Sequence, residues 1–79
     1  MITLYSTEGC HLCEMAFALT QQLNISTQIE IVDIAFDDEL FSRYGVTIPV
    51  LNYQGKELNW PFDLEQLQVW LSDNGITYN

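Results

Sequence analysis

Basic residues are the scarcest class in this 79-residue sequence: Arg43 and Lys56 stand against eleven Asp and Glu, for a formal net charge of −9. Binding to nucleic acid or to an anionic membrane draws its affinity from cations that displace the counterions of phosphate groups. A chain with so few cations suits neither partner, and strongly anionic small substrates are disfavoured as well. Most of the carboxylates are expected only to keep the chain soluble. Long apolar runs are missing too, so no stretch approaches the ~20 residues of a membrane-spanning helix. The sequence starts without the basic segment of a secretory leader, and a cytoplasmic location is expected. Internal repeats, linkers and low-complexity tracts are absent.

Cysteine and proline are limited to two residues each. Two thiols as close as Cys10 and Cys13 cannot staple distant elements together, which excludes a secreted disulfide scaffold. In a reducing compartment such a pair is redox-active or metal-binding before it is structural. Pro49 falls inside a β-prone run, where a missing N–H confines it to an edge, a bend or a strand start.

What is present is the composition of a folded chain, 48% hydrophobic and 16% charged, with 13% aromatic residues to add apolar area to a small core. The length allows one domain, residues 1–79, and one core. Met1 to Tyr5 is β-prone, and Ser6-Thr7-Glu8-Gly9 interrupts it. Leu12, Ala16, Leu19 and Leu23 then recur at helical spacing and predict one buried stripe, with Asn24 as the stop. Thr27 to Ile34 predicts a second strand, alternating at its start and nearly all apolar at its buried end. Strand, helix, strand in this order implies a right-handed crossover and parallel pairing.

Asp37 is placed to cap a short helix that Gly45 ends. Val46 to Leu51 predicts a third strand, Tyr53-Gln54-Gly55-Lys56 a hairpin turn, and Glu57 to Trp60 the returning strand. Asp63 with Gln66 forms a capping-box pattern before a last helix in which Leu64, Leu67 and Leu71 share a face. The order is β-α-β-α-β-β-α, an α/β architecture with one four-stranded mixed sheet and helices on both its faces.

Chemistry concentrates in Cys10-His11-Leu12-Cys13, at the junction of the first strand and the first helix. A thiolate is the reactive form of cysteine, so Cys10 is useful only if its pKa falls from about 8.5. Unpaired N–H groups and the positive dipole end of the starting helix favour the anion. His11 tunes it further whenever it is protonated, while Glu8 and Glu14 oppose. A modest net lowering is expected. The competing reading is a metal site, for which four ligands are needed and only His11 adds to the two thiols. A site shared by two copies, or an iron–sulfur cluster held through Cys10, stays open. Trp60, Phe62 and Tyr44 are expected as core or rim aromatics, and Asp63 as a helix cap.

Tyr5-Ser6, the Cys10-His11-Leu12-Cys13 motif and Thr47-Ile48-Pro49, in this order along a β-α-β-α-β-β-α chain, resemble a small glutaredoxin-like protein of the thioredoxin fold. The resemblance spans essentially the whole length. It implies a thiol–disulfide oxidoreductase with Cys10 as the nucleophile and Cys13 as the resolving thiol. It also implies that Pro49 is cis and that Thr47, Ile48 and Pro49 bind the substrate, with the Ile48 backbone pairing to the partner like an added strand. No cofactor is implied, and glutathione is a possible co-substrate. The partner would be a disulfide-containing protein or a small thiol, and the protein a monomer. Three positions depart from the glutaredoxin pattern. Thr7 stands where a basic residue is usual, Trp60-Pro61-Phe62 replaces a pair of glycines before Asp63, and His-Leu lies between the cysteines. These departures predict poor turnover with glutathione. The alternative function is a binding module in which the dithiol holds a metal or acts as a redox latch.

Overall fold

The computed structural model describes residues 1–77. β1 (Ile2–Ser6) leads into α1 (His11–Gln22), and β2 (Ile29–Asp33) into α2 (Asp38–Tyr44). The hairpin β3 (Val50–Tyr53) and β4 (Lys56–Asn59) follows, and α3 (Leu64–Asp73) comes last. The strands form one sheet in the order β2-β1-β3-β4. β1 runs parallel to β2 and antiparallel to β3, and β3 antiparallel to β4, so the sheet is mixed. The element order and the mixed sheet are those of a thioredoxin-like fold.

Alternation along the strands divides the interior in two. Ile2 and Leu4 of β1 and Leu51 of β3 face α1 and α3, where they pack with Ala16, Leu67 and Leu71. Tyr5 and Val50, one residue along, face the other side and pack with Ile34, Leu40 and Tyr44 of the α2 layer. No helix is long and apolar enough to cross a membrane among the described residues.

The ends of the elements follow the expected chemistry. Asp37 caps α2 by accepting from the Glu39 and Leu40 N–H groups. Asp63 accepts from the Gln66 N–H at 2.7 Å and the Gln66 side chain accepts from the Asp63 N–H at 2.9 Å, a complete capping box. After α1, Asn24 takes a left-handed φ of 60°, and the Ile25 N–H returns to the Thr20 carbonyl. The hairpin turns in two residues, Gln54 and Gly55, both at positive φ, as the twist of the strands requires.

Three expectations are corrected. The buried face of α1 runs through Cys13, Ala16 and Thr20 to Leu23, whereas Leu12 is 44% exposed. Cys13, bridged to Cys10, is buried on this face. Leu12, one residue and about 100° around the helix, then points out. The predicted strand 27–34 shrinks to Ile29–Asp33, because 3₁₀ turns at Ser26–Gln28 and Ile34–Phe36 take both ends. That strand is an edge, so Ile31 is 56% exposed, and the buried Ile34 reaches the core from the turn beyond it. The third strand starts at Val50 and not Val46. Pro49 has no N–H to give to a ladder, and the Thr47 and Ile48 N–H groups turn back to the Tyr44 carbonyl.

Candidate active site

Three segments meet at the end of the sheet where β1 finishes. β1 delivers the loop Thr7–Gly9, in which Gly9 holds a φ of 77°, a conformation open to residues without a Cβ. Cys10 follows as the N-cap of α1. Antiparallel pairing of Tyr5 with Val50 places Pro49 beside the same strand end. β4 returns there too: Asn59 pairs with Val50, and the Trp60 N–H donates to the Pro49 carbonyl at 3.3 Å. The Ile48–Pro49 and Trp60–Pro61 peptides are both cis.

Cys10 and Cys13 are joined as a disulfide, with their Cα atoms 5.2 Å apart. The two sulfurs are not equivalent. Cys13 is buried, at 4% exposure, while Cys10 is partly open. The Cys13 N–H donates to the Cys10 Sγ at 3.2 Å, so the sulfur occupies the place that a Ser or Asp oxygen takes at an ordinary N-cap. His11 is exposed, with its Nδ1 3.8 Å from a Glu14 carboxylate oxygen. Both side chains are in solvent, where such a pair contributes little.

Beside the disulfide lies an open groove of about 350 Å³, lined by both cysteines, Ser6, Thr7, Glu8, Glu14, Phe17 and Ile31 among others. A second groove of about 320 Å³ continues from it along Ser6, Thr7, Glu8 and Ile31 to Asp33. The parallel register that sets Leu4 opposite Ile31 and Ser6 opposite Asp33 brings the end of β2 to this rim. The Thr7 hydroxyl donates to Asp33 at 3.1 Å, and Asp33 also accepts from the Ala35 N–H.

The residues singled out in the sequence are thus distributed around one end of the sheet but not in one pocket. Pro49 is fully buried, Ile48 is partly buried and Thr47 is exposed. None of the three lines either groove. The Ile48 N–H is engaged by the Tyr44 carbonyl at 3.1 Å, so in this arrangement only its carbonyl can meet a docked strand. Phe62 and Tyr44 are buried, one in each core, and Trp60 packs edge-on against Phe62 at 5.1 Å. Asp63 spends its carboxylate on the capping box. Ile31 and Asp33, which do line the grooves, carry no local signal, and only the parallel pairing of β1 and β2 could have grouped them with Cys10. Phe17 lies one helical turn after Cys13 on α1.

Among the described residues, no three of His, Cys, Asp and Glu gather where they could hold a metal ion. Cys10, Cys13 and the outward-facing His11 do not converge.

The sequence model for "Glutaredoxin-like domain (DUF836)" matches residues 1–72. The chain belongs to this glutaredoxin-like family. Its fold is also that of a solved relative, the structural-genomics target XcR50 from X. campestris. The X-ray structure of that protein superposes with a TM-score of 0.85 at 39% identity, over 92% of this chain and 97% of the other. Its solution structure gives 0.82 at 37% identity, over 99% and 97%. Protein Ne2328 from Nitrosomonas europaea is similar at 28% identity and a TM-score of 0.71, over 87% of each chain. No curated protein matches the chain. Membership in a glutaredoxin-like family and the paired cysteines together make this glutaredoxin-like domain a thiol-redox fold.

Proposed function

We propose that this glutaredoxin-like protein is a thiol–disulfide oxidoreductase in which Cys10 attacks and Cys13 resolves. The observation that carries the reading is the asymmetry of the pair: an accessible Cys10 whose sulfur already accepts a helix N–H, and a buried Cys13 one turn along. The groups that receive the Cys10 sulfur in the disulfide are also those that stabilise a thiolate after reduction. In turnover, the Cys10 thiolate attacks one sulfur of a partner disulfide and the other sulfur leaves as a thiolate. Cys13 then attacks Cys10, releases the partner as its second thiol and closes the Cys10–Cys13 bond. Two electrons pass from the protein to the partner.

His11 tunes Cys10 from the helix start. Thr47, Ile48 and Pro49 form the docking edge, with the Ile48 carbonyl accepting from the partner backbone. The partner is a protein disulfide in the cytoplasm, met by the protein as a monomer without a cofactor. Glutathione is a poor co-substrate in this reading. Trp60-Pro61-Phe62 occupies the place of the glycines that would admit its backbone, Phe62 is buried, and the Asp63 carboxylate is committed to its own helix.

Brief alkylation of the reduced protein near neutral pH, followed by peptide mass mapping, tests the proposal. Cys10 should be modified well ahead of Cys13, and Cys13→Ser should accumulate a mixed disulfide through Cys10. Slow and equal labelling of both thiols would remove the basis of the reading. In a glutathione-coupled disulfide assay, turnover should be weak; robust activity would show that Trp60-Pro61-Phe62 admits glutathione after all.

A further inference from the structure

The groove that contains the reacting sulfurs carries charge of one sign. Glu8 enters it from the loop before Cys10, and Glu14 from the first turn of α1. Asp33 extends the same sign along the adjoining groove. No lysine or arginine lines either groove. Arg43 sits over the Tyr44 ring on α2, 5.2 Å from its centroid. Lys56 pairs with Tyr53 at the hairpin end of the sheet, opposite to the end where Tyr5 pairs with Val50. The nearest basic group, His11, is itself beside Glu14. Phe17 and the half-exposed Ile31 add apolar surface to the same walls.

Resting on the reading of Cys10 as the attacking thiol, we propose that this groove selects the charge of the partner. The polypeptide segment that presents its disulfide sulfur to Cys10 carries lysine or arginine next to that cysteine. The carboxylates are not a site in themselves; they flank the sulfur that reacts. A cationic side chain laid along the groove meets Glu8 and Glu14 within a Debye length of about 10 Å, so its approach is favoured at ordinary ionic strength. The aliphatic stem of a lysine or arginine fits the apolar surface of Phe17 and Ile31 while its head stays at the acidic rim. An anionic segment meets the same carboxylates as repulsion. The exchange itself is unchanged: the partner disulfide is reduced by two electrons, the Cys10–Cys13 dithiol is oxidised, and a small dithiol such as dithiothreitol prepares the reduced protein beforehand.

The test uses three peptides with one cysteine each, held as a mixed disulfide with 2-mercaptoethanol and flanked by lysine, serine or glutamate. The pre-reduced full chain is mixed with each in single turnover. Each rate is divided by that of the same peptide with dithiothreitol, which removes the intrinsic reactivity of the peptide disulfide. The lysine peptide should exceed the glutamate peptide by about tenfold or more at low salt, and the ratio should fall toward one at high salt. The Glu8→Gln/Glu14→Gln protein should lose most of the ratio. The Glu30→Gln/Asp73→Asn protein, with the same net charge but substituted on the start of β2 and the end of α3, should keep it. Equal normalised rates for the three peptides would overturn the charge selection alone, as would equal losses in the two double variants. A serine peptide that Cys10 reduces no faster than a free thiol does would overturn the exchange reading and the selection together.

Discussion

The Tyr44 hydroxyl donates to a Glu57 carboxylate oxygen, while Tyr5 stacks flat on its ring with centroids 4.3 Å apart. Tyr44 joins α2 to the edge strand β4 through this bond, beneath the loop that leads to Pro49. Burial and then the bond to Glu57 push its pKa from 10.0 up to about 12. The folded state therefore holds the phenolic proton more tightly than the unfolded chain. The stabilisation is fully present below pH 10 and disappears as pH rises to about 12. Its size is at most roughly 2–3 kcal/mol. Tyr44→Phe should lower stability by about 1–2 kcal/mol at neutral pH and flatten the loss of stability across the alkaline window. Urea unfolding at a series of pH values measures both. An unaltered alkaline slope in the variant would mean that another group sets it.

At the scale of the element, α3 begins where the strand β4 delivers Trp60, Pro61 and Phe62, and the capping box fixes that beginning. Asp63→Ala should destabilise the protein by about 1 kcal/mol, and Asp63→Asn by less, because asparagine can still accept the Gln66 N–H. Denaturant midpoints resolve the difference; equal losses would point to charge and not the cap as the stabilising feature. The same capping pattern was legible in the sequence because it is local: four residues carry the donor, the acceptor and their spacing. The rotation of α1 was not. Apolar spacing alone favours the Leu12 stripe, while the core takes the face of smaller side chains, Cys13, Ala16 and Thr20. Thr20 can face the core because its hydroxyl donates to the Phe17 carbonyl at 2.6 Å.

Over the whole molecule, eleven acidic side chains share a small surface with two lysine or arginine residues. Among the described residues no lysine or arginine pairs with a carboxylate, and the exposed His11–Glu14 contact is an ion pair only while His11 is protonated. Repulsion among the carboxylates therefore opposes folding with little local compensation. Raising sodium chloride from about 20 mM to about 0.5 M shortens the screening length severalfold and should raise the thermal midpoint by a few degrees. A midpoint that falls with salt would show that attractive charge pairs dominate. The placement of Arg43 and Lys56 away from the disulfide leaves Glu8, Glu14 and Asp33 as the charged side chains lining the grooves at that end of the sheet.

The sequence by itself determined the order of elements, their caps, the two-residue hairpin turn and the presence of a Cys10–Cys13 pair at a helix start. Each of these depends on neighbours a few residues apart, where side-chain type and backbone geometry act directly. Only the tertiary structure decided which face of α1 is buried, that β2 is an exposed edge, and that Ile31 lines the groove beside the disulfide with Asp33 in the groove that adjoins it. It also decided that the Ile48 N–H turns inward to Tyr44. Those features arise from the pairing of β1 with β2 and β3, which brings together residues remote in the chain. Periodicity identifies a face, but packing against the sheet chooses which face is used.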